Sequence, residues 1–175
     1  NTVSVVNWDG KTMEFFASQI VVCTNAFTKE LFPELDVVPG RGQVLITKPI
    51  SSLKFKGTFH MEEGFYYFRN VGNRILLGGG RHLDIQEEET TEHGTNTKIE
   101  SQLMRILKDD LLPNTSFEVD QQWSGIMAFG GVKKPIVKWI NPTTLIAVRL
   151  GGMGMAIGSK LGEVVSDEVI GFDKP

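Results

Sequence analysis

LIAVRLGGMGMAIGSKLGEVVSDEVI, residues 145–170, is the stretch whose reading decides the fold. An apolar run, Leu145 to Val148, breaks at Arg149-Leu150 into Gly151, Gly152 and Gly154, then continues as a segment of helical character. The order is strand, glycine loop, helix. Glycines permit left-handed backbone and close approach of a ligand, while the free N–H groups and positive dipole end of a helix start favour negative charge. A cofactor site is the first expectation.

A dinucleotide fingerprint is the obvious version of that site, because Gly152-x-Gly154-x-x-x-Gly158 follows a strand and opens a helix. Such a unit needs a second parallel strand after the helix, with an acidic residue about 20 positions on to hold the ribose. Only Gly171-Phe172-Asp173-Lys174-Pro175 follow here. A phosphate loop of the GxxxxGK[ST] kind also fails, since Gly154 to Gly158 is one residue short and Ser159-Lys160 stand in the wrong order. The helix start is therefore expected to face some other electron-rich group. The competing reading is that the glycines merely let a terminal helix pack closely on a sheet.

Composition is that of a globular chain: 175 residues, 41% hydrophobic and 22% charged, enough for one good core. A net charge of −3 and no dense Lys/Arg cluster argue against a nucleic-acid partner. No apolar run approaches the roughly 20 residues that cross a bilayer, so a soluble protein without a transmembrane segment is expected. Cys23 is the single cysteine. It excludes an internal disulfide and a cysteine-rich metal site, and it suits a reducing compartment, so the cytoplasm is the expected location.

Upstream, TVSVVNW, Asp9-Gly10 and KTMEFFASQIVVCT predict two or three strands around a tight turn, as if the chain opened inside a sheet already paired to something earlier. Ile20-Val21-Val22-Cys23 is a continuous apolar run, expected to be a strand buried on both faces. Thr24-Asn25-Ala26 turns off its carboxyl end, where α/β sheets place ligands. A helical turn over Thr28–Phe32 stops at Pro33.

From Pro39 the pattern changes to long antiparallel strands around Arg41–Thr47, Phe65–Arg69 and Arg74–Gly78, the last two joined at Val71-Gly72-Asn73. Glu87-Glu88-Glu89 reads as a solvated loop without a metal role. Thr97-x-x-Glu100 reads as a capping box, with Ile99, Leu103, Ile106, Leu107 and Leu111 on one face of a helix over about 97–111. Phe117–Asp120 and Trp123–Met127 add strand signal before Gly130-Gly131 turns the chain. The fold class expected is mixed α/β (α+β), an antiparallel sheet with a packed helix inserted between two pieces of a second sheet.

The succession VVCTNAFTKEL, PGRGQVLIT, GFYYFRNVGNRILLGGGR, WSGIMAFGGVKKPIV and LIAVRLGGMGMAIGSKLGEVV resembles the C-terminal half of the flavin-dependent amine and amino-acid oxidoreductases, the family of D-amino-acid oxidase, glycine oxidase and sarcosine oxidase. It covers nearly the whole chain. Each motif is weak alone, and their order and spacing carry the likeness. In that family an N-terminal βαβ unit with GxGxxG holds the ADP part of FAD. The resemblance therefore implies a fragment of a larger two-domain fold: residues 1–38 and 136–175 as pieces of the FAD domain, 39–135 as a piece of the substrate domain, and the missing N-terminal half as a partner.

The resemblance also implies roles. Gly151, Gly152, Met153, Gly154, Met155 and Ala156 would lie against the flavin pyrimidine edge, where backbone N–H groups and the helix dipole stabilise the reduced anion. Thr24, Asn25 and Ala26 would approach from the neighbouring strand end, Asn25 standing where the family usually has glycine. The reaction implied is hydride transfer from a C–N carbon of a small amine or amino acid to FAD, with the protein supplying orientation. Tyr66, Tyr67, Arg69, Trp123 and Arg149 are the substrate-orienting candidates. Arginines that bind a substrate carboxylate in amino-acid-oxidising members fall at Met127 and near Gly152 here, leaving Arg149, Arg81, Lys133 or Lys134 as substitutes. Hydroxyacid oxidation or dehydrogenation on the same fold remains open. His60, His82 and His93 are too scattered for a metal set, and Met153 and Met155 are expected to pack. The alternative class is a self-contained α+β binding domain without catalysis.

Overall fold

The computed structural model describes residues 1–51 and 53–172. The chain divides into two compact units, one of residues 1–38 and 128–175, the other of residues 39–127.

The first unit opens with an antiparallel hairpin of β1 (Thr2–Val6) and β2 (Thr12–Phe16). Its turn is built by Asn7, whose Oδ1 accepts from the N–H groups of Asp9 (3.1 Å) and Lys11 (2.9 Å), so the side chain substitutes for a backbone turn. One face of the hairpin carries Val3, Val5, Met13 and Phe15, all exposed. β3 (Ile20–Val22) follows and pairs in parallel with β10 (Thr144–Val148), which pairs antiparallel with β9 (Ile136–Asn141). Every residue of β10 is buried, which is why its sequence is continuously apolar from Leu145. β3 departs from expectation: Val21 is 38% exposed and Cys23 is exposed, because β3 is an edge strand bonded on one side only among the described residues. After β3 come a 3-10 turn, Asn25–Phe27, and the short helix α1 (Thr28–Leu31), ended before Pro33 as expected. The glycine-loop helix lies at the far end of the chain and is described below.

The second unit is a five-stranded antiparallel sheet in the order β5 (Thr58–Met61), β6 (Tyr66–Val71), β7 (Arg74–Gly79), β4 (Val38–Thr47), β8 (Val119–Phe129). β6 and β7 form the hairpin expected at Val71-Gly72-Asn73. Strand alternation puts Leu45, Tyr66, Phe68, Ile75 and Leu77 on one face, and these join Ile99, Leu103, Ile106 and Leu107 in a single core. Phe59 stacks on Phe68 at 4.8 Å and Phe55 meets both edge-on, extending that core beyond the helix.

α2 (Ile85–Glu88) and α3 (Thr97–Arg105) cover this face, α3 running on through a π-helical segment, Ile106–Leu111. Together α3 and its extension match the span expected for the helix. The cap does not. Asn96, not Thr97, is the N-cap: its side-chain oxygen accepts from the N–H of Lys98 at 3.0 Å, and its amide donates to Asp84 at 3.3 Å. Replacing Asn96 with alanine should cost about 1 kcal/mol of stability, with serine restoring most of it, read as the shift in thermal unfolding midpoint. Equal midpoints for alanine and wild type would show the cap to be idle.

The triplet Glu87-Glu88-Glu89 is not a solvated loop. Glu88 is fully buried, clamped by Arg41 through two bonds, Nε to Oε2 at 3.1 Å and Nη2 to Oε1 at 2.8 Å. Gln43 Nε2 adds a third at 3.3 Å, and Gln43 in turn accepts from the Asn96 N–H at 2.9 Å. This bond to Glu88 holds the Arg41 guanidinium above its ordinary pKa. The network ties β4, α2 and the start of α3 together, and no local pattern signals it because Arg41 and Glu88 are far apart in sequence.

Candidate functional site

In the first unit, β10 delivers the chain into Arg149, which has a positive φ of 64°, then Gly151 and Gly152 at 58° and 79°, before α4 (Gly154–Phe172) begins. Left-handed backbone is easy for the two glycines and strained for arginine. Arg149 is held there by what its side chain does. Its guanidinium is buried, donating from Nη1 to the Asp36 carboxylate (2.5 Å) and carbonyl (3.0 Å) and from Nε to the Lys134 carbonyl (2.9 Å). The same carboxylate accepts from the Gly131 N–H at 3.0 Å, fastening the turn after β8 to the loop before β4. Arg149 thus clamps Asp36 and the Lys134 carbonyl.

The loop itself is open. Gly151, Gly152, Met153, Met155 and Ala156 are exposed and Gly154 is partly so. A Cβ at Gly151 would find no heavy atom within 4 Å. Met153 is 58% and Met155 102% exposed, so these methionines stand outward instead of packing as expected. The Met153 carbonyl accepts from the N–H groups of Ala156 and Ile157, which leaves those of Gly154 and Met155 at the head of a 19-residue helix.

The strand-end turn reaches the same loop. Asn25 has a positive φ of 47°, and its Oδ1 accepts from the Leu150 N–H at 3.5 Å. Asparagine tolerates that conformation better than other non-glycine residues. Ala26 is buried, and the Thr24 and Thr28 hydroxyls share a hydrogen bond at 2.7 Å.

In the second unit the candidates divide by sheet face. Tyr66 is fully buried on the helix side, its ring edge-on to His82 at 5.4 Å, and burial pushes its phenol pKa up. It is a member of the core under α3. Tyr67 and Arg69 project from the opposite face, in cross-strand register with Gly78 and Leu76. Their rows continue to Val44 and Ile46 on β4. Met127 lies over Gly42 on that face, and alternation along β8 puts Trp123, 42% exposed, there too. His60, read from the sequence only as scattered, pairs with Tyr67 and shares its face. The sequence could have linked them through strand alternation once the hairpin register was known.

Of the substitutes for a carboxylate-binding arginine, Arg81 lies in a turn 3.7 Å from Glu89, and Lys133 and Lys134 are exposed in the turn after β8. Two shallow depressions flank the end of α3, lined by Lys108, Asp109, Thr115 and Ser116 among others, and include none of the candidates. No helix among the described residues is long and apolar enough to cross a membrane.

Comparison with known proteins adds the family. None of the curated proteins is similar enough in sequence to match. Glycine oxidase from Bacillus cereus ATCC 14579 superposes with a TM-score of 0.76 at 13% identity, over 98% of this chain and 47% of its own. Iminodiacetate oxidase from Chelativorans sp. BNC1 gives 0.72 at 16% identity, over 98% and 49%, and L-proline dehydrogenase from P. horikoshii gives 0.72 at 17%, over 95% and 45%. These likenesses carry the fold, a mixed α/β architecture matching part of a larger one, and the chain spans about half the length of each. The profile of the FAD dependent oxidoreductase family (DAO) matches residues 1–168, and the chain belongs to that family.

Proposed function

We propose that this chain is the C-terminal half of an FAD-dependent enzyme that oxidises a C–N bond of a small amine or amino acid. The observation that carries this reading is the exposed glycine loop at the head of α4, in a chain matched to the family over residues 1–168. Glycine oxidase, iminodiacetate oxidase and proline dehydrogenase, by their names, act on such compounds.

The residues fit a flavin. Gly151 and Gly152 in left-handed conformation, with no heavy atom within 4 Å of a Cβ at Gly151, leave room for a flat ring edge against the backbone. The N–H groups of Gly154 and Met155, which the Met153 carbonyl does not take, offer donors to an anionic rim. In this reading Gly151 through Ala156 hold the pyrimidine edge, and Thr24, Asn25 and Ala26 stand beside it. FAD, when bound, accepts the hydride from the carbon bearing nitrogen. The chain's own part is to stabilise the charge that reduction creates and to orient the substrate.

For orientation we assign Tyr67, Arg69 and Trp123, which share one face of the five-stranded sheet, and leave Tyr66 and Arg149 to the framework. Residues 1–38 and 136–175 would then belong to an FAD-binding domain, and residues 39–135 to a substrate domain. The exposed apolar face of the β1–β2 hairpin suits cover by the N-terminal half that the longer neighbours have. Without that half, FAD is held weakly or not at all and the chain is inactive. The single, exposed Cys23 suits a reducing compartment, the cytoplasm.

Visible absorbance tests the reading. The 175-residue protein should be colourless, and a polypeptide extended upstream should be yellow and should bleach anaerobically with an amine or amino acid. A colourless extended protein that takes up no added FAD would instead favour a self-contained binding domain.

A further inference from the structure

The sheet face bearing Tyr67 has an unusual floor. Gly78, paired with Tyr67 across the β6–β7 ladder, is a glycine inside a strand, where it is less stable than alanine. Its backbone does not require it, since its φ is not in the left-handed range. The neighbour requires it. A Cβ at Gly78 would stand 2.6 Å from the Tyr67 hydroxyl, 2.7 Å from Cζ and 2.9 Å from Cε2, distances that real Cβ atoms essentially never show.

Tyr67 therefore lies flat across the strand, its ring seated on bare backbone. A glycine in a strand commonly marks such a close approach. Gly42 provides the contrast on the same face. A Cβ there would meet Met127 Cε at 2.5 Å, but the next atom is 3.8 Å away, so one rotation of a flexible thioether end removes the clash. The phenol ring has no such freedom, having only two torsions and a rigid plane. Moving it off Gly78 displaces the hydroxyl most, as the atom farthest from the backbone.

We infer that Gly78 is a positioning residue, whose missing side chain fixes where the Tyr67 hydroxyl stands on the candidate substrate face. The inference rests on the assignment of Tyr67 to substrate orientation. Burial pushes the Tyr67 phenol pKa up. A phenol hydroxyl is a donor, suited to an oxygen of the substrate such as a carboxylate or carbonyl.

Two measurements separate this inference from the reading beneath it. The sequence holds only two tyrosines, Tyr66 and Tyr67, so ring NMR of the tyrosine-labelled chain gives two signals. Gly78→Ala should shift the signal that vanishes in Tyr67→Phe and leave the other in place, and Gly42→Ala should shift neither. An unmoved Tyr67 signal overturns the inference whatever the enzyme does. In the FAD-loaded polypeptide extended upstream, Gly78→Ala should raise KM roughly three- to tenfold, the size of one hydrogen bond, with a smaller change in kcat. The same substitution in a Tyr67→Phe background should add less than twofold. A wild-type KM for Tyr67→Phe itself removes Tyr67 from the substrate, and the inference with it. Should Gly78→Ala not fold, the pair Tyr67→Ser with Gly78→Ala relieves the contact and should recover the fold; failure to recover it overturns the steric coupling.

Discussion

Replacing Glu88 with alanine should open the second unit by local unfolding, at a cost of about 3–5 kcal/mol. Arg41 is 8% exposed and donates two hydrogen bonds to the Glu88 carboxylate. Without that carboxylate a guanidinium unable to lose its proton keeps only the exposed Glu87 carboxylate, 3.9 Å away, as a counter-charge. The loss is larger than the worth of the pair, because breaking one partner strands the other's charge. Gln43 loses its acceptor as well, which loosens its bond to the Asn96 N–H and so the start of α3. Hydrogen exchange read by mass spectrometry should show β4 and α3 amides exchanging roughly 10²- to 10³-fold faster, at about tenfold per 1.4 kcal/mol. Replacing Arg41 with methionine and Glu88 with leucine together should recover most of that protection, since no charge remains to be stranded. Exchange within threefold of wild type for the single variant would show the cluster to be dispensable.

Gly154→Asp should separate the stability of α4 from its proposed use. A carboxylate in the first turn of a helix is favourable to the helix itself, by roughly 0.3–1 kcal/mol. If the N–H groups of that turn face the rim of a reduced flavin, the same carboxylate repels the anion and competes for its donors. In the FAD-loaded polypeptide extended upstream the two-electron potential should fall by at least about 40 mV, equivalent to about 2 kcal/mol, or FAD affinity should fall tenfold or more. Gly154→Ala separates bulk from charge. Its methyl meets only Leu150, at 3.3 Å from Cδ1, and should shift the potential much less. Thermal unfolding of the aspartate variant should be unchanged or slightly raised. A normal flavin affinity and potential in Gly154→Asp would remove the loop from the cofactor.

How far the sequence reached depended on the distance over which each feature is encoded. The α3 stripe of Ile99, Leu103, Ile106 and Leu107 and the β6–β7 hairpin are written within a few residues, through side-chain period and turn chemistry, and both formed as read. Asn96 took the cap from Thr97 because one residue earlier its amide could serve the Lys98 N–H and Asp84 at once. The Glu87–Glu89 triplet looked solvated because three adjacent acids usually are. Its middle member turns inward, and only the tertiary fold shows that Arg41 waits there. Likewise Tyr66 and Tyr67 are chemically equal in sequence, but alternation separates them into core and open face.

The sequence by itself determined the strand, glycine loop and helix at 145–170 and the antiparallel hairpin with its covering helix, since each rests on local periodicity and backbone freedom, while the order of motifs carried only a resemblance to the family. Only the tertiary structure decided that Arg149 is a clamp on Asp36, that Glu88 is buried against Arg41, and that Gly78 is the seat of Tyr67. The physical reason is the same in all three: the energy of a buried charge or a close contact is set by partners brought together through space, and adjacent residues carry no record of them.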